Sequence, residues 1–116
     1  MQRMRFYEVT FIVDDQIGEE SIKAEVKKIE DFIGNNGGKV EKTGSLGTRR
    51  FAYPIKKREH GYYSFIQFWA DPPLLPSLES SLRLDEAILR YLIVAAPKKH
   101  SEEQNREESP ETSEER

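Results

Sequence analysis

The stretch "GTRRFAYPIKKREHGYYSFIQF", residues 47–68, decides how this chain folds. Two runs rich in aromatic and β-branched residues flank a short polar segment, the pattern of a β-hairpin. The second run, "YYSFIQFWA", reads as a strand that is apolar at both parities. Tyr62, Ser64, Ile66 and Phe68 share one side, and Tyr63, Phe65, Gln67 and Trp69 the other. Period two cannot choose between these sets. "REHG" is expected to turn the chain. Pro54 donates no ladder hydrogen bond, so the first strand belongs on a sheet edge or at a bulge. Gly44 and Gly47 mark a bulge or bend within it rather than its end. Phe51, Tyr53 and Ile55 are expected on one inward face, with Arg50 and Ala52 pointing outward.

Toward the N-terminus, "RFYEVTFIV" (residues 5–13) alternates: Tyr7, Val9, Phe11 and Val13 on one side, Phe6, Glu8, Thr10 and Ile12 on the other. That is a strand. Ile22, Val26, Ile29 and Ile33 then recur in steps of four, three and four, the stripe of an amphipathic helix widened by Phe32. "GNNGG", residues 34–38, supplies its stop. Beyond the hairpin, "DPPLLPS" opens a second helix with Asp71 as the expected cap and Leu75, Leu78 and Leu82 on one face. "AILRYLIVAA" closes the pattern as a last strand.

The order β-α-β-β-α-β predicts an α+β fold, a ferredoxin-like two-layer sandwich with an antiparallel four-stranded sheet. Right-handed crossovers place the first and third strands centrally and leave one sheet face without helices. Several aromatics, with Phe6 and Ile12, are expected on that open face. An apolar patch of this kind marks a partner surface, or is simply a partly exposed sheet.

Length and charge bound the rest. At 116 residues the chain fits one domain, expected over residues 4–100. Residues 101–116, "SEEQNREESPETSEER", hold seven glutamates against two arginines, a net charge of −5, while residues 1–100 carry +2. The segment has no aromatic or aliphatic side chain to offset its ordering entropy, and reads as a disordered acidic tail. With no cysteine, disulfides, thiolate metal sites and cysteine nucleophiles are excluded. The N-terminus, where Met1 and Met4 are alternative starts, has no apolar signal core, and the longest apolar runs are too short for a bilayer; a soluble intracellular protein is the default.

Catalytic constellations are missing from the sequence. His60 and His100 neighbour no Ser or Asp partner, and "GNNGGK" lacks the length and the Ser/Thr of a phosphate loop. Asp14, Asp15, Glu19 and Glu20 do not space as a calcium loop; they favour the first helix's N-terminus. Cations give the stronger signal. Arg49 and Arg50 are adjacent and point to opposite faces. Lys56, Lys57 and Arg58 surround the turn, by default a solubility feature, but also a loop able to reach phosphates. Arg83, Arg90, Lys98 and Lys99 lie at ends of neighbouring elements, and Arg5 joins them as a candidate for RNA or partner binding. "HGYYSFIQF" does not reproduce the glycine-aromatic motif of RNA-recognition domains.

"GTRRFAYPIK", residues 47–56, closely resembles the signature of the bacterial ribosomal protein S-six family: glycine, any residue, basic, polar, leucine, alanine or serine, tyrosine, any residue, isoleucine, basic. Phe51 departs from the family's leucine but keeps a bulky apolar side chain. The likeness continues through "RFYEV", "GYY" and "LESSLRLDEAILRYLIV" (residues 78–94). The resemblance implies a ferredoxin-like protein of the small ribosomal subunit, cytoplasmic and on the ribosome, with no catalysis, cofactor, small-molecule substrate or membrane attachment. It also implies binding to small-subunit ribosomal RNA together with ribosomal protein eighteen of that subunit. A ligand-sensing or oligomerising regulatory domain of the same fold is the alternative.

Overall fold

The computed structural model describes residues 4–95. Lys98, Lys99 and the acidic segment 101–116 lie outside the described residues, as does Met1. The elements are β1 (Arg5–Val13), a 3-10 turn (Asp15–Ile17), α1 (Glu19–Asn35), β2 (Lys39–Ile55), β3 (Arg58–Ala70), α2 (Leu74–Leu84) and β4 (Ile88–Ala95). The sheet runs β2-β3-β1-β4 with every neighbouring pair antiparallel. This is the expected ferredoxin-like sandwich, with Pro54 on an edge strand.

One parity of each central strand faces the helices. Tyr7, Val9, Phe11 and Val13 of β1 and Ile66, Phe68 and Ala70 of β3 form a single core with Ile22, Ile29 and Ile33 of α1 and Leu74, Leu78 and Leu82 of α2. The side left open by periodicity is thereby settled: Ser64, Ile66 and Phe68 point inward. Burying each large side chain removes apolar surface worth ~1.5–3 kcal/mol from water, which is what holds the two layers together.

Local chemistry ends the elements. After α1, Gly37 takes a positive φ of 91°, and the Gly38 N–H donates to the Ile33 carbonyl at 2.8 Å. The Asn36 side chain donates to the Phe32 carbonyl at 2.8 Å, so the stop is a hydrogen-bonded cap as well as a flexible point. Before α2 the expected Asp71 side-chain cap is replaced. Pro73 occupies the N-cap position without a side-chain bond, and the Asp71 backbone carbonyl accepts from Leu74 N–H at 2.9 Å. Pro76 falls in the first turn, where a missing N–H is harmless.

The hairpin turns earlier than "REHG". Ile55 pairs with Arg58, and Lys56 and Lys57 between them carry φ of 50° and 67°. Two positive-φ residues are what a tight hairpin matching the strand twist requires. "REHG" opens β3 instead. The register of β2 shifts between Val40 and Lys42, between Ser45 and Gly47, and between Arg50 and Ile55. The inward face expected for Phe51, Tyr53 and Ile55 therefore does not form: Tyr53 is 64% exposed, while Phe51 and Ile55 are half-buried.

A carboxylate pair ties α1 to the α2–β4 connection. Lys28 Nζ lies 2.8 Å from Asp85 Oδ2 and 3.7 Å from Glu25 Oε2. Burial, reinforced by Asp85, pushes the Glu25 carboxyl up to about 7, against an opposing pull from Lys28. Burial alone would raise Asp85 too, but hydrogen bonds with Glu25, Lys28 and the Ala87 N–H outweigh it and hold Asp85 low. When ionised, both carboxylates only accept, and Glu25 Oε1 is buried without a partner; a proton on Glu25 gives the pair a donor. Because the folded state raises this pKa, its stabilisation is complete below the ordinary value of 4.5 and is lost as pH rises through about 7. Denaturant melts from pH 4.5 to 8 should therefore show wild type losing stability relative to Glu25→Gln, which carries no titrating proton. A constant difference between them across that range contradicts the assignment.

Candidate functional site

The face of the sheet turned away from the helices is built in rows, because residues paired across antiparallel strands project to the same side. One row runs Arg90, Ile12, Tyr63, Gly47 from β4 to β2. The next runs Leu92, Thr10, Phe65, Gly44, and the third Val94, Glu8, Gln67, Lys42. Phe6, Trp69 and Lys39 make a fourth. Arg49 stands beside Gly61 at the hairpin end.

Two glycines on this face let aromatic rings lie against the backbone. A Cβ on Gly44 would stand 2.5 Å from Phe65 Cζ, and one on Gly61 would stand 2.7 Å from Phe51 Cζ and overlap Ile12. Gly47, at φ 82°, supplies the bulge. Phe51 and Tyr63 meet edge-on at 6.3 Å, and Phe6 and Trp69 pack tilted at 4.9 Å. Phe6, Ile12 and Gln67 are buried here although no helix covers them. Leu92 and Val94 remain 63% and 41% exposed. The face is a small second packing layer with an accessible apolar margin.

Its polar groups are placed at defined points. The Trp69 indole N–H donates to Glu41 at 2.7 Å, and the Gln67 amide donates to Glu8 at 3.3 Å. Arg49 Nε donates to the Leu46 carbonyl at 3.0 Å, anchoring its stem while the side chain stays exposed. Burial raises the Tyr63 phenol above its ordinary value, and the positive charges of Arg49 and Arg90 partly offset that rise. Two arginines thus flank one tyrosine, a setting for stacked or anionic groups. Lys39, Lys42, Arg49 and Arg90 have no ion pair among the described residues.

The cations named from the sequence separate. Arg49 and Arg90 come together on the open face. Arg50 pairs in register with His60, on the opposite side of the hairpin. Lys56 and Lys57 are exposed at its tip. Arg58 is drawn inward: its Nε donates to Asp14 Oδ2 at 3.1 Å, tying β3 to the end of β1. Arg83 belongs to the helix layer, 3.8 Å from Glu79, apart from Arg90 on the open face. Arg5 is exposed at the start of β1. Lys39 and Lys42 were missed in the sequence, because the bulge between Val40 and Lys42 sets which side they take.

The structure is thus a ferredoxin-like sandwich presenting an aromatic sheet face rimmed by arginine and lysine. The family described as ribosomal protein S6 matches residues 6–95. The chain belongs to that family, whose members are structural proteins of the small ribosomal subunit rather than enzymes. It is 40% identical over 91 residues to the small ribosomal subunit protein bS6 of Clostridium novyi, covering 78% of this chain and 96% of that one. With the bS6 protein of Geobacter sulfurreducens it shares 38% identity over 95 residues, 82% and 81% of the two chains. The crystal structure of 30S ribosomal protein S6 from Thermotoga maritima superposes with a TM-score of 0.79 at 30% identity, covering 90% of this chain and 98% of that one. Among the described residues no helix is long and apolar enough to cross a membrane.

Proposed function

We propose that this chain, a small-subunit ribosomal protein by family, is a structural constituent of that subunit. In this reading it binds small-subunit ribosomal RNA jointly with ribosomal protein eighteen, in the cytoplasm where ribosomes work. The observation that carries the reading is the open sheet face, where half-buried Tyr63, Phe65 and Trp69 and exposed Leu92 and Val94 are bordered by Arg49, Arg90, Lys39 and Lys42. Apolar margin suits a protein partner; the cations suit phosphates, whose contacts position a protein without reading sequence. Exposed Lys56 and Lys57 at the hairpin tip extend the cationic border. Family membership favours this role over a ligand-sensing or oligomerising domain.

A body charge of +2 makes RNA affinity dependent on the partner. Each phosphate contact contributes about 0.9 to the salt slope on duplex. The isolated protein is therefore expected to bind central-domain small-subunit RNA weakly, with a slope of only a few. Adding ribosomal protein eighteen should bring tight binding. Filter-binding titrations across a salt series measure both. Tight, salt-resistant binding by the isolated chain contradicts the reading.

A further inference from the structure

We propose that the acidic segment 101–116 of this chain folds back over the open sheet face and screens Arg49 and Arg90 when no partner is bound. The occupant is chosen by charge. The segment carries −5, and the face carries Lys39, Lys42, Arg49 and Arg90 without ion pairs among the described residues. Its own carboxylates, Glu8 and Glu41, already accept from Gln67 and Trp69. On the helix layer, by contrast, Lys27, Lys28 and Arg83 each face an acidic neighbour, and of the cations there only Lys23 has no ion pair among the described residues. Arg58 is likewise taken by Asp14. Four cations without ion pairs share the open face, against Lys23 on the helix layer and Arg50, Lys56 and Lys57 at the hairpin end, so an incoming polyanion gains most at the open face.

Reach is sufficient. β4 ends at Ala95, opposite Tyr7, beside the row of Phe6 and Trp69. Returning to the level of Arg90 requires about 17 Å, five residues of strand rise, and crossing to β2 requires about 14 Å, three strand spacings. The residues from 96 onward span up to ~70 Å when extended, against a longest molecular dimension of 45 Å. The segment passes Val94 and Leu92 on its way and has no aliphatic side chain to dock on them, so its hold is electrostatic.

The absence of cysteine makes the test direct. A spin label on Ser113→Cys in the full chain, at low salt and dilute protein, should broaden the amide signals of Ile12, Tyr63, Arg90 and Leu92. Ile29 and Leu78 in the helix layer should be spared. The broadening should vanish in about 1 M salt, where the Debye length is ~3 Å. It should also vanish when the seven glutamates of 101–116 become Gln, and in Arg49→Ala/Arg90→Ala, whose cooperative melt confirms an intact fold. Uniform or helix-side broadening overturns the proposal, as does persistence in the Gln chain. Broadening that appears only when label and isotope sit on different molecules overturns it as well.

A second arm rests on the proposed RNA-binding role of this face. Ending the chain after His100, which retains every described element, should tighten binding of central-domain small-subunit RNA measured with ribosomal protein eighteen present. A face covered nine-tenths of the time gives roughly tenfold. Unchanged affinity beside positive broadening keeps the docking and removes the RNA role from this face.

Discussion

Reversing both open-face arginines, Arg49→Glu with Arg90→Glu, is expected to lower incorporation into small ribosomal subunits by about two orders of magnitude. Both side chains are exposed, and neither has an ion pair among the described residues. Surface changes of this kind shift stability by ~0.5 kcal/mol or less. At an interface, however, a misplaced like charge costs several kcal/mol, and each 1.4 kcal/mol is a factor of ten. Competition between tagged wild-type and variant chains for subunits reconstituted in vitro measures the ratio. Lys56→Glu at the exposed hairpin tip provides a graded comparison. Equal incorporation of the double variant and wild type would remove these arginines from the interface.

Phe68→Ala should produce the largest loss of stability in the chain. Phe68 is fully buried on the helix side of β3, its ring 5.8 Å from that of Tyr7. Deleting an aromatic ring from a closed core costs about 3–5 kcal/mol, the lost transfer energy plus the cavity left behind. For a domain of this size that lowers the melting midpoint by more than ~12 °C. Phe65→Ala, three positions away, removes a ring on the other face that is half-buried against Gly44. It should cost visibly less. Thermal melts of the two variants compare the faces directly, and equal losses would mean that the helix-side layer is not the dominant core.

Element order was legible because strongly patterned segments carry their own period: Tyr7, Val9, Phe11 and Val13 at two, Ile22, Ile29 and Ile33 at the helical spacing. The hairpin turn was not, because Lys56 and Lys57 adopt positive φ without the glycine or asparagine that signals it. Gly61, meanwhile, looks like a turn residue and is a strand residue that makes room for Phe51 and Ile12. The partner face of β3 was hidden by its doubly apolar sequence. Helix packing chose Ile66 and Phe68, and left Tyr63 and Phe65 to the open side. Cations on β2 were the hardest to place, since each bulge reverses the faces of everything beyond it. Arg58 illustrates a different limit: its pairing with Asp14 spans 44 positions and has no local signature.

The open sheet face, not the helix layer, is expected to meet the ribosome. Hydroxyl-radical footprinting of the protein, free and within small subunits, tests it most directly through side chains on both sides. Tyr63, Phe65, Trp69 and Leu92 are expected to become protected on assembly, while exposed Leu84 at the end of α2 keeps its reactivity. Protection of Leu84 with unchanged labelling of Tyr63 and Leu92 would contradict it.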